Sequence, residues 1–216
     1  MTVFYVVGTM KEVIKCVNAV QNGAVQKLVD KRLREFTALG KKSSEELFKE
    51  LCFCILTANY SAAGGMRVQE AIGDGFLTLS EKKLAAALRK NKHRFPNMRA
   101  KYIVEARKHL PDLRDNVKNM EEHLLRDWLA VEVKGLGYKE ASHFMRNIGF
   151  EDVAIIDFHI VDFLVRHKLI GKPKTLSKKN YLAVEEVLRK IAHKMNMGLG
   201  ELDLYLWYCE TGTVLK

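Results

Sequence analysis

Apolar residues recur at intervals of three and four through most of the chain, the spacing that places them on one face of an α-helix. Val13, Val17 and Val20 mark a first such face, and Val25, Leu28, Val29, Leu33 and Phe36 mark a second. Ser43-Ser44-Glu45-Glu46 has the form of a capping box and predicts the start of a strongly apolar helix over about 44–58. Ser80 predicts the cap of a helix running to about Lys90, and Pro96 suits the first turn of one continuing through Ile103 to His109. Leu124, Leu125, Trp128 and Leu129 predict the inward face of a helix over about 118–131. A glycine-containing turn follows, then a helix over about 139–148. Asp157 reads as the N-cap of a helix that buries Ile160, Phe163 and Leu164. Ser177 opens another carrying Tyr181, Val184, Leu188 and Ile191, and a last helix, over about 200–209, is aromatic at its end.

The run Ala154-Ile155-Ile156 suits a short strand, but no neighbouring segment offers it a partner, so the pattern predicts an all-α protein. Gly64-Gly65, Gly73-Asp74-Gly75 and Gly171-Lys172-Pro173 read as turns. With no repeat, low-complexity tract or flexible linker, any lobes are joined intimately rather than tethered. No apolar run approaches the ~18 residues a membrane span needs. A short apolar patch within the first ten residues lacks the basic flank and small-residue cleavage site of a secretory leader. The four cysteines, at 16, 52, 54 and 209, match neither a zinc site nor a cysteine-ligated iron–sulfur cluster. Cys52 and Cys54 lie in an apolar run and read as buried thiols, so a reducing, cytoplasmic setting without a membrane is expected.

Charge changes this picture. Over 216 residues the formal net charge is +10, enough to hold a polyanion by neutralising phosphates and releasing their counterions. A lysine-rich surface laced with ion pairs would give the same sum, so charge alone leaves both readings open.

Val133-Lys134-Gly135-Leu136-Gly137-Tyr138-Lys139 lies between two predicted helices. Two glycines two apart allow a sharp turn, and they let a phosphate approach with no Cβ in the way. Backbone N–H groups of such a turn, and of the helix N-terminus after it, grip DNA without reading its sequence. The same pattern also serves as a plain helix–helix turn, and only the residues around it separate the two.

Those residues are Val133 to Lys139, then Glu140-Ala-Ser-His-Phe-Met-Arg-Asn-Ile-Gly149, then Ile155-Ile156-Asp157-Phe158-His159. Together they resemble the signature of the helix–hairpin–helix DNA glycosylase superfamily (HhH-GPD), and most of all its archaeal-type 8-oxoguanine DNA glycosylase/AP lyase branch. The likeness extends loosely from Leu56-Thr-Ala-Asn59 to the carboxyl end. Lys134 stands where many superfamily members have proline, a departure that the archaeal-type branch shares. The resemblance implies two helical lobes with the active site in the cleft between them. One would be discontinuous, residues 1–44 and 151–216, and the other, 45–150, would end in the helix–hairpin–helix at about 121–149.

The resemblance also implies the chemistry. Lys139 matches the catalytic lysine and Asp157, 18 positions on, the catalytic aspartate. The lysine amine would attack C1′, expel the base, form a Schiff base and lead to β-elimination. A free lysine is neutral in only about one molecule in 2,500 at pH 7, so burial or positive neighbours must favour the neutral amine. A carboxylate acts the other way, which suits Asp157 to the positive charge developing on the sugar. Gly135, Leu136 and Gly137 would hold the DNA backbone. Asn59 matches a helix end that enters the duplex, and Phe95 suits a wedge beside the orphaned base, or equally a hydrophobic staple before Pro96. The run Arg89-Lys-Asn-Lys-His-Arg94 would face phosphate. Trp207 would stack on the extruded ring, and Lys216, through carboxylate or side chain, would help distinguish 8-oxoguanine by its N7–H donor. No cofactor is required, and a monovalent cation on the hairpin carbonyls is the one the resemblance allows. The implied partner is double-stranded DNA with oxidised guanine, bound by a monomer. Two alternatives remain at this point: a glycosylase for another oxidised base, and a non-enzymatic hairpin module that binds DNA.

Overall fold

The computed structural model describes residues 10–21 and 23–216, and the amino-terminal apolar patch lies almost entirely outside them. Among the described residues there are thirteen α-helices, one short 3-10 turn and no strand. In chain order the helices are α1 (Lys11–Val20), α2 (Gly23–Gly40), α3 (Ser44–Thr57), α4 (Ala62–Ile72), α5 (Gly75–Thr78), α6 (Glu81–Lys90) and α7 (Pro96–Ala106). After the 3-10 turn Arg107–His109 come α8 (Leu113–Asn119), α9 (Glu122–Glu132), α10 (Tyr138–Asn147), α11 (Phe158–Arg166), α12 (Lys178–Met195) and α13 (Leu199–Thr211). Two compact units are present: Met1–Glu35 with Phe150–Lys216, and Phe36–Gly149. The sequence reading begins the second lobe at the start of α3; the structure begins it inside α2, an unbroken helix.

In the unit Phe36–Gly149, α3 is the central helix. Every residue from Leu47 to Thr57 except Lys49 is buried, and α4, α5, α7, α8 and α10 all pack on it. A helix apolar nearly all round is stable only when neighbours cover it on every side. Its one buried carboxylate, Glu50, is matched by two amides: Asn147 donates to Oε1 at 2.6 Å and Gln69 to Oε2 at 3.1 Å. A buried polar group is tolerable only when hydrogen-bonded, and this arrangement ties α10 and α4 to the core.

Gly64 and Gly65 lie in the first turn of α4 rather than in a loop. Ser61 caps that helix by accepting from the Gly64 N–H. A Cβ on Gly64 would fall 2.5 Å from the Tyr60 ring, and one on Gly65 2.9 Å from Thr57 Cγ2 and 3.0 Å from the Phe53 ring. The pair therefore permits a close approach of two helices, which overrides glycine's preference for turns. Ser43 precedes α3 as expected but makes no side-chain capping bond to it, so the capping box is not formed. The helix expected over 118–131 is two, because the extended Met120 and Glu121 separate α8 from α9. Leu125 and Leu129 face inward while Leu124 is 47% exposed; Leu28 likewise stands outside its predicted face.

In the other unit α13 contacts α1, α11 and α12. Its core is built from Val13, Val17, Phe163, Tyr181, Val184 and Tyr205, all nearly inaccessible. The Ala154–Ile156 run is not a strand. Its partners are side chains of α12: Glu185 accepts from the Ala154 N–H at 3.0 Å, while the Tyr181 hydroxyl donates to the Ala154 carbonyl at 2.6 Å and accepts from the Ile156 N–H at 3.1 Å. The Gly200 N–H bonds the Glu151 carbonyl and Arg189 grips Asp152. Buried backbone groups need partners, and here two long side chains do the work of a neighbouring strand. The segment leading to Asp157 is thereby fixed at four points.

Candidate active site

The hairpin joins α9 to α10. Gly135 has φ +94°, a conformation natural to glycine, and a Cβ there would lie 2.5 Å from the Tyr102 ring. Gly137 is extended, at φ −103°, and its nearest neighbour to an added Cβ is Glu140 Oε2 at 3.4 Å. The first glycine is thus demanded by the fold, and the second leaves the turn open on its outer side. The Leu136 N–H closes the turn on the Val133 carbonyl at 3.1 Å while its side chain is buried. The Gly137 N–H donates to Glu140 Oε2, also at 3.1 Å.

Lys139 stands in the first turn of α10, half-buried, with Nζ 3.6 Å from Glu140 Oε1. One carboxylate therefore touches both the hairpin amide and the lysine. The helix is anchored on its other side: the Tyr138 hydroxyl donates to Asp127, Arg126 lies over the Tyr138 ring at 5.2 Å, and Arg126 bonds Ser142. With Asn147 on Glu50, these contacts fix the Lys139 backbone from both ends of α10.

Asn59 follows α3 in the left-handed region, φ +58°, with its side chain exposed. Asparagine tolerates that conformation better than most residues. The peptide before it is clamped by Arg99, whose guanidinium donates to the Ala58 carbonyl at 2.5 Å and lies 5.8 Å from both the Phe95 and Tyr102 rings. His93 makes a second clamp: its Nδ1 accepts from the Phe95 N–H at 3.1 Å, so Nε2 carries the hydrogen that bonds the Leu56 carbonyl at 3.0 Å. Burial pulls the His93 imidazole below its ordinary pKa, and burial likewise lowers Arg99. The structure brings Asn59 and Phe95 together through these two residues. Phe95 occupies the N-cap of α7 and is half-buried, with Arg94 5.0 Å from its ring. Lys90, Lys92 and Arg94 are exposed beside it. Tyr102 then links Arg99 to Gly135, so the two loops and the hairpin share one buried brace.

In the other unit, Asp157 is the N-cap of α11, its Oδ1 accepting from the Ile160 N–H at 3.0 Å. An N-cap carboxylate sits beside the unpaired amides at the positive end of the helix dipole. Phe158, directly after it, is 76% exposed. His159 packs edge-on against Trp207, ring centroids 5.8 Å apart, and the Trp207 indole N–H has no hydrogen-bond partner among the described residues. Gly212, left-handed at φ +69°, ends α13 and turns the chain into the segment that reaches Lys216. Among the described residues no cluster of three or more His, Cys, Asp or Glu side chains could hold a metal, and no helix is long and apolar enough to cross a membrane.

Sequence reasoning found the residues next to glycines and caps and missed their supports. Among those supports Arg99, Tyr102 and Glu185 carry no local motif; His93 stood out only inside the basic run, Tyr181 only as a buried helix position, and Glu140 only within the stretch that follows the hairpin.

A lysine closing a G-x-G hairpin and an aspartate capping the next long helix, on an all-α scaffold, are the features of the helix–hairpin–helix DNA glycosylases. The family profile described as 8-oxoguanine DNA glycosylase matches residues 29–197. The 8-oxoguanine DNA glycosylase/AP lyase of Korarchaeum cryptofilum is 53% identical over 207 residues, 95% of this chain and 98% of its own. That of Methanocaldococcus jannaschii is 50% identical over 94% and 99%. The crystal structure of the M. jannaschii 8-oxoguanine glycosylase/lyase in complex with a 15mer DNA containing 8-oxoguanine superimposes with a TM-score of 0.91 at 48% identity, covering 95% of this chain and all of that one. The 8-oxoguanine DNA glycosylase of Thermotoga maritima gives 0.92 at 47% identity, covering 96% and 100%. This chain belongs to the 8-oxoguanine DNA glycosylase family.

Proposed function

We propose that this protein excises 8-oxoguanine from duplex DNA and cleaves the strand at the resulting abasic site, with Lys139 as nucleophile and Asp157 as the carboxylate that supports it. The observation that carries the reading is the position of Lys139, rigidly held directly after the hairpin glycines. The Nζ lone pair forms a bond to C1′ as the N-glycosidic bond breaks, and its electrons leave with the base, which gains a proton. Opening of the sugar ring gives a protonated Schiff base. Loss of a C2′ proton then breaks the C3′–O bond and releases the 3′ phosphate, and water frees the lysine. Asp157, oriented by its capping bond, counters positive charge on the sugar as the base departs.

DNA is held by backbone amides of Gly135, Leu136 and Gly137 and of the α10 N-terminus. A phosphate at Gly137 replaces Glu140 as acceptor, drawing that carboxylate away from Lys139. Asn59 and Phe95, on their braced loops, fill the gap left by the flipped nucleotide. Trp207 stacks on the base and Lys216 supplies a main-chain oxygen to its N7–H, an acceptor that guanine, with a bare N7, would leave unpaired. The protein acts as an intracellular monomer. No cofactor takes part in these steps; the hairpin carbonyls are the hard oxygen donors a monovalent cation prefers, and such an ion would steady the turn only.

The experiment is single-turnover release of 8-oxoguanine and strand cleavage, on duplexes with the lesion opposite each normal base. Lys139→Gln is expected to abolish both activities, and Asp157→Asn to slow base release by about 10²-fold or more. Deleting Lys216 is expected to impair base release more than cleavage of a preformed abasic site. Full activity in Lys139→Gln, or no release from any lesion by the wild type, overturns the reading.

A further inference from the structure

Besides the apolar packing of Ile160 beside Leu202 and Leu206, two side-chain contacts join α11 to α13. At the first, His159 lies edge-on to Trp207. At the second, one guanidinium nitrogen of Arg166 bonds both carboxylate oxygens of Glu210, at 2.7 and 2.8 Å. Residues 159 and 166 are seven apart on α11, two helical turns, and 207 and 210 are three apart on α13, so each pair shares a face of its helix. A single contact is a pivot, whereas two along one face set the crossing angle. The second contact is well supported: the Arg166 guanidinium stands 5.7 Å from the buried Phe163 ring, and the Glu210 side chain is only 19% exposed. On the neighbouring position Cys209 hydrogen-bonds Cys16 of α1, and burial pushes its thiol up to about 12, so it remains a neutral packing group.

What these contacts position matters more than what they stabilise. The first turn of α11 carries Asp157 at its cap, and the last turn of α13 carries Trp207 and leads through Gly212 into the segment ending at Lys216. Thr211 ties that exit back to the helix, its hydroxyl donating to the Trp207 carbonyl at 2.8 Å. A surface ion pair adds little to folding, yet a small change of crossing angle displaces groups that must meet a ligand to within an ångström.

We propose that the Arg166–Glu210 ion pair is a specificity-positioning device, holding Trp207 and the carboxyl-terminal segment in register with the α11 cap, so that it governs recognition of the extruded base and not cleavage of the sugar. The inference rests on the assignment of Trp207 and Lys216 to base recognition made above.

The test compares single-turnover base release from an 8-oxoguanine duplex with cleavage of a preformed abasic duplex. It uses Arg166→Glu, Glu210→Arg, the milder Glu210→Gln and the double charge reversal, all in the full chain. Each reversal is expected to slow base release by about 10-fold or more while abasic cleavage stays within about two-fold. The double reversal should recover base release to within about three-fold of wild type, because the pair is re-formed with opposite sense. Glu210→Gln should act in the same direction by a smaller factor. Equal slowing on both substrates, no slowing of either, or no recovery in the double variant overturns the inference. Trp207→Ala and the Lys216 deletion separate the two layers of argument. If neither distinguishes the substrates, the base-reading assignment itself has failed; if both do and the ion-pair variants do not, only the positioning role falls.

Discussion

His93 shows how one buried side chain can hold two loops in shape. Its two nitrogens have opposite duties, accepting from the Phe95 N–H and donating to the Leu56 carbonyl, which only the neutral ring can perform. Protonation would place a donor against a donor. Burial accordingly lowers the imidazole pKa in the folded protein below its value of about 6.5 in an unfolded chain. A group whose folded pKa is depressed contributes stability that is fully present above the unfolded pKa and is lost as pH falls below it. Thermal melts between pH 8 and pH 5 should therefore show a decline in Tm below about pH 6.5 that is shallower in His93→Gln, since glutamine does not titrate. Parallel curves for the two proteins would show that His93 is not held neutral. Sequence patterning marked His93 only as part of a basic run, because its partners lie at Leu56 and Phe95 and no spacing rule connects them.

At the scale of elements, the parts legible in the sequence were those whose cause is local. Asp157, Ser80 and Ser177 all cap the helices they precede, since a cap bonds amides three residues on. The hairpin was legible for the same reason, though its glycines turn out to differ: Gly135 is required by its φ and by Tyr102, and Gly137 by neither. The close packing of α3 on α4 could not be read, because Gly64-Gly65 means a turn until one knows that Phe53, Thr57 and Tyr60 press against it. Nor could the support of residues 154–156, which comes from Tyr181 and Glu185 on a helix about 25 to 30 residues away. The α3–α4 contact predicts the sign of a simple substitution. Gly65→Ala gains about 1 kcal/mol of helix propensity but forces a methyl to 2.9 Å from Thr57, an overpacking that costs about 1–3 kcal/mol. A net loss of up to about 2 kcal/mol in urea unfolding is expected; a more stable variant would show that the two helices part at no cost.

For the whole molecule, the surplus of ten positive charges suits the role the family implies, since a repair enzyme must hold a polyanion while it searches it. The residues proposed for the chemistry fall in both compact units: Lys139, Asn59 and Phe95 in one, and Asp157, Trp207 and Lys216 in the other. Each unit fixes its own share by contacts within itself. In the proposed reaction the Lys139 amine becomes bonded to the sugar. Borohydride reduction during turnover on an 8-oxoguanine duplex, followed by proteolysis and mass spectrometry of the DNA-linked peptide, reads that bond directly. One modified site is expected, at Lys139, lost in Lys139→Gln; an adduct on another lysine or the amino terminus, or base release with no adduct, would contradict a Lys139 Schiff base.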